Sequence, residues 1–157
     1  MDKKFLQSLQ AFIVQAKAAT YVGGGEHTCS CRPESHDLEF KDGDWSYLDS
    51  YFGGRDFIGE EVVYYKGKAV WAMNYYGRIL RAELITPEQT GHMIKVSLSR
   101  MYAEERFLGG FQYREGEFAY IDSSKGDVDH FTGRETISRE GKLAYELVYH
   151  GGVIKNE

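Results

Sequence analysis

Residues 25–37 read GEHTCSCRPESHD and gather histidine, cysteine, arginine and acidic side chains into one short stretch. His27, Cys29, Cys31 and His36 are nitrogen and sulfur donors of the kind zinc takes. Cys-x-Cys lacks the two-residue gap of ordinary zinc knuckles and no second cysteine pair follows, so no metal and no cofactor is expected here. A thiol or serine near His36 and Asp37 offers different chemistry: a nucleophile, a base and an orienting acid. Adjacent residues of an extended segment point to opposite sides, which works against His36 and Asp37 as an orienting pair. Arg32, ahead of Pro33, can pin the loop to a carboxylate or grip an anionic ligand.

A second set of candidates lies in segments of alternating polarity. Period-two alternation puts Trp45, Tyr47, Asp49 and Tyr51 on one strand face, and Trp71, Met73 and Tyr75 on another. Glu61 falls among apolar neighbours, and Asn74 adds an adaptable hydrogen-bonding group. Aromatic rings with one or two carboxylates suit an apolar or cationic small molecule. The expected ligand-binding set is therefore Arg32, His36, Trp45, Tyr47, Asp49, Glu61, Trp71, Asn74 and Tyr75. In it, Asp49 or Glu61 supplies the charge, while Arg32 and His36 close the mouth.

The elements that must position these residues follow from an internal repeat. LEFKDGDWSYLDS (38–50) lies over FQYREGEFAYIDS (111–123), and FIGEEVVYYKGKAVWAMNYYGRIL (57–80) over FTGRETISREGKLAYELVYHGGVI (131–154). Phe57/Phe131, Gly59/Gly133, Glu61/Glu135, Gly67/Gly141, Lys68/Lys142, Tyr75/Tyr149 and Gly77/Gly151 are identities, more than ordinary composition yields in such a window. Asp42-Gly43, Lys66-Gly67, Glu115-Gly116 and Glu140-Gly141 mark hairpin turns. They predict strands at 38–41, 44–52, 57–65 and 68–76, then 111–114, 117–123, 128–138 and 142–149. Phe5, Leu6, Leu9, Phe12, Ile13 and Ala16 form one helical stripe, and Ile94, Leu98, Met101 and Tyr102, after Pro87, form another. The predicted fold is α+β: a helix plus four-stranded antiparallel meander, internally duplicated about a pseudo-two-fold axis, with the helices packed on one face of the sheet. The chain reads as a single domain, 1–157, with repeats at about 3–80 and 87–154. At the helix ends Tyr21-Val22-Gly23-Gly24 matches Phe107-Leu108-Gly109-Gly110, which leaves 25–37 as an insertion with no counterpart in the second repeat. An unmatched loop on a repeated scaffold is expected to carry function, here as a lid.

AxxATYxGGG at 16–25, CRPESHDLEF at 31–40, YLDSYFGG at 47–54, F-x-GEE at 57–61 and VWAMNYYGR at 70–78 form a further pattern. Together they resemble an uncharacterised bacterial domain family found alone and behind helix-turn-helix repressor domains. The shared pattern includes Arg32, Pro33, Ser35, His36 and Asp37 but not His27 or the two cysteines. The resemblance implies a regulatory, effector-sensing role. The predicted layout is also similar in topology to gyrase-inhibitor-like ligand-binding domains, which sense hydrophobic cations.

Composition narrows the class. A formal net charge of −5 without a basic run argues against direct nucleic-acid binding. The N-terminal apolar stretch is too short for a signal peptide or membrane span, so a cytoplasmic protein without a membrane partner is expected. The leading expectation is a non-catalytic small-molecule-binding domain. The competing class is a small hydrolase or cyclase that uses His36 with Asp37, Asp49 or Glu61, and it requires His36 against a carboxylate at a pocket floor. A third reading, a protein-interaction module, adds a homodimer as partner.

Overall fold

Two helices and eight strands make up the computed structural model, which describes residues 2–25 and 27–155. Helix α1 spans Lys3–Ala19 and α2 spans Pro87–Ala103. Asp2 caps α1 by accepting from the Phe5 amide at 2.7 Å. Thr86 and Gln89 form a capping box at the start of α2, where Pro87 needs no amide partner. Each helix buries one stripe, Leu9, Phe12, Ile13 and Ala16 in α1 and Met93, Ile94, Ser97, Leu98 and Met101 in α2. No described helix is long and apolar enough to cross a membrane.

The strands are β1 (His36–Asp42), β2 (Trp45–Gly53), β3 (Phe57–Tyr65), β4 (Lys68–Ile79), β5 (Phe111–Glu115), β6 (Phe118–Asp127), β7 (His130–Arg139) and β8 (Lys142–Val153). Lys66-Gly67 and Glu140-Gly141 turn with positive φ at both residues, the geometry of a tight hairpin that keeps the strand twist. The sheet order is β1-β2-β3-β4-β8-β7-β6-β5 and every described pairing is antiparallel.

This corrects the expected fold class. The chain is not built from duplicated helix-plus-four-stranded-meander units; it is mostly one continuous eight-stranded antiparallel sheet, accompanied by two helices. The physical reason lies in β4 and β8, each 12 residues long. They pair from Trp71↔Val153 to Ile79↔Tyr145, so each is hydrogen-bonded on both sides and neither group of four strands ends in a free edge at the centre. Trp71, Tyr47, Tyr120, Tyr145, Phe131 and Ile137 are fully buried on the face that carries the helices. On the opposite face Ile58, Tyr76 and Val148 stand exposed in one cross-strand row.

Candidate functional site

The sheet places two carboxyl pairs on its inner face. Asp49 stands opposite Glu61 across β2 and β3, and Asp122 opposite Glu135 across β6 and β7. Tyr75 and Tyr149 face each other across the central β4–β8 pair. Each tyrosine lies over a glycine on its other neighbour: a Cβ on Gly59 would strike the Tyr75 ring, and one on Gly133 the Tyr149 ring. Lying flat in this way, the tyrosine hydroxyls reach the carboxyls. Tyr75 donates to Asp49 Oδ1 at 2.6 Å, and Tyr149 to Asp122 Oδ1 at 2.7 Å.

Between this face and the helices is a cavity of about 280 Å³. Leu98, Met101 and Tyr102 of α2 cover it, Phe107 and Leu147 add apolar wall, and all four carboxyls line it. Exposed Gly53, Gly54 and Arg55 on the β2–β3 hairpin and Pro87 at the start of α2 mark its mouth. Gly91, on the first turns of α2, also lines it and has open space where a side chain would begin.

Burial sets the electrostatics. Lys17, from the end of α1, is the one buried cationic side chain among the described residues. Its Nζ donates to Glu61 Oε1 at 2.7 Å and forms an ion pair with Oε2, which receives no well-aligned hydrogen bond. Burial, and then the charge of Glu61, raises the Asp49 carboxyl to about 7 despite the Tyr75 hydroxyl. Burial and then Asp122 raise Glu135 to about 8. Asp122 is itself raised by burial, with the Tyr149 hydrogen bond opposing. Glu135 Oε2 and Asp122 Oδ2 are buried without a hydrogen-bond partner among the described residues. Burial penalises the charged form of each carboxyl, and a cation beside it offsets that penalty.

Of the residues expected from sequence, Tyr47, Asp49, Glu61 and Tyr75 line the cavity. Trp45 does not; it packs under the start of α1, its ring 5.4 Å from Phe5 and 5.4 Å from Phe12. Trp71 is core, stacked on Phe131 at 5.8 Å with its indole N–H donating to the Val128 carbonyl at 3.0 Å. Asn74 is exposed on the other face, because the alternation that turns Met73 and Tyr75 inward turns it outward.

The loop does not close the cavity: none of its described residues lines it. It is fastened instead to the outer edge of the sheet. The Cys31 amide and the Ser50 hydroxyl each donate to the Asp37 carboxylate at 2.8 Å. Arg32 Nη2 donates to the Ser50 carbonyl at 3.1 Å and to its hydroxyl at 2.8 Å, and the guanidinium covers the Phe52 ring at 4.7 Å. Burial works against the Asp37 charge, but hydrogen bonds from Cys31, Ser35 and Ser50 together hold the carboxyl at about 2. His36 is exposed, with His27 and Tyr51 as ring neighbours at 5.8 and 5.1 Å, and makes no described hydrogen bond to a carboxylate. Cys29 and Cys31 are free and exposed, and no described group of side chains is arranged to hold a metal.

Lys17, Asp122, Glu135 and Tyr149 belong to the site but not to the expected set. Asp122, Glu135 and Tyr149 align in the sequence with Asp49, Glu61 and Tyr75, which is the signal that points to them. Lys17 was signalled by position, four residues after buried Ile13 on the same stripe.

A family model described as a domain of unknown function, DUF5680, matches residues 49–154. The match includes all four cavity carboxyls and leaves α1, with Lys17, and the 25–37 loop ahead of it. No curated protein and no solved structure matches the chain.

Proposed function

The chain belongs to the DUF5680 family, and from its own geometry we propose that it is a non-catalytic, effector-sensing domain whose cavity binds a small apolar molecule bearing a positive charge. One observation carries this reading: a buried, largely apolar cavity lined by four carboxyls against one buried cation. Its volume, about 280 Å³, falls just below the range of about 300–1,000 Å³ usual for small-molecule sites and suits a ligand of one ring or a short chain. Tyr47, Tyr51, Tyr75, Tyr102 and Tyr149 add ring faces that attract cations. The hydrolase or cyclase reading through His36 lacks its required geometry, since His36 is exposed and away from the cavity.

Thermal-shift screening against paired lipophilic amines, their alcohols and the matching carboxylic acids tests the proposal. Amines should raise the melting temperature, acids should not, and Gly91→Phe, which fills the mouth, should remove the effect. Stabilisation by acids alone, or amine stabilisation that survives Gly91→Phe, would overturn it.

A further inference from the structure

Resting on that ligand-binding reading, we propose that the cavity holds two matched ammonium sites, one filled by the chain's own Lys17, and that the other, at Asp122 and Glu135, takes the primary ammonium of an amine ligand. The two halves of the cavity offer the same groups in the same register. Each has a carboxyl pair facing across two strands and a tyrosine hydroxyl that donates to the aspartate. They differ in what completes them. In the first half, Lys17 reaches in from α1 and its ammonium engages Glu61. In the second, among the described residues, no ammonium donates to the pair: Glu135 is 8% exposed and Asp122 4%, one oxygen of each lacks a hydrogen-bond partner, the buried Tyr120 hydroxyl lies against Glu135, and Lys17 acts on both carboxyls only through its charge.

A buried acceptor left unpaired is costly, and two of them on facing residues that line a cavity call for donors, which a small shift of either side chain would bring within reach. A primary ammonium brings three N–H donors and a charge; a quaternary ammonium brings the charge and no donor. Phe107, Met101 and Leu147 line the same cavity and would cover an alkyl or aryl body, the Phe107 ring lying between it and the Lys17 ammonium at 5.9 Å. The ligand class that fits is a primary alkyl or arylalkyl amine, with the Lys17 side chain itself as the shape template.

Isothermal titration calorimetry at about pH 8.5, where the raised carboxyls ionise most readily, tests this with 2-phenylethylamine, 2-phenylethanol and phenylethyltrimethylammonium. The wild type should bind the primary amine at least about tenfold more tightly than either analogue, a difference of about 1.4 kcal/mol. Glu135→Gln and Asp122→Asn, each checked for folding by circular dichroism, should lose about that factor. Equal binding of amine and alcohol, or amine binding unchanged in both carboxyl variants, would overturn the inference and leave the cavity a ligand site. Binding of none of the three probes would overturn both readings.

Discussion

Glu135 and Asp37 are both buried carboxyls, and their surroundings push them in opposite directions. Glu135 meets burial and a neighbouring acid, which raise it to about 8; Asp37 meets burial too, but enough hydrogen-bond donors to hold it at about 2. The stability consequences therefore have opposite signs. For Glu135, raised above an unfolded value of about 4.3, the contribution is full below that value and is lost as pH rises through about 8. Glu135→Gln should consequently gain on the wild type as pH climbs from about 4 to 8, by about 2–4 °C in melting temperature per kcal/mol. Calorimetric scans across that range check it, and parallel curves for the two proteins would refute it. For Asp37 the contribution is present above about 3.9 and is lost as pH falls toward about 2. Asp37→Asn should cost about 1.5–3 kcal/mol at neutral pH, with the deficit shrinking in acid. Urea titrations at pH 7 and in acid would show the two lines converging.

At the scale of elements, the positions of the glycines separate structure from function. Gly133 is a packing requirement, since any Cβ there meets the Tyr149 ring. Gly133→Ala should displace that ring, break its hydrogen bond to Asp122 and cost about 1–3 kcal/mol in chemical denaturation. Gly91 has no such excuse: it lies inside α2, where glycine costs about 0.8–1 kcal/mol relative to alanine, and nothing crowds it. What it borders is the cavity. Gly91→Ala should stabilise the free protein by roughly that amount, and Gly91→Leu should do so more weakly while blocking ligand uptake; loss of stability in both would disprove it. The turns were the legible part of these elements, because Lys66-Gly67 and Glu140-Gly141 carry their geometry within two residues. The sequence suggests a lid at 25–37, whereas Arg32 of that loop is anchored on Ser50 and Phe52 of β2, which leave no local trace in the loop itself.

Across the whole molecule, the sequence spoke clearly about local pattern and poorly about what meets what. Alternation located Tyr47, Asp49, Glu61 and Tyr75 on inward faces, and they reach the cavity. It also nominated Trp45 and Trp71, which share that inward side but pack beneath α1 and into the core at a distance from the opening. Period two chooses a face and not a position along it. Nor could it reveal that β4 and β8 are neighbours, since that pairing joins Trp71 to Val153. The same seam has a kinetic consequence. Hairpins such as β3–β4 and β7–β8 close over short loops, whereas the seam must close a far longer one, and long-range pairing is slow. The two tryptophans divide this history between them: Trp45 lies with α1, β2 and β3, and Trp71 in the seam itself. In stopped-flow refolding of single-tryptophan variants, Trp45 fluorescence should mature ahead of Trp71 fluorescence, and identical rates would show the sheet assembling in one step. Because the cavity spans that seam, the binding site would be the last part of the molecule to exist.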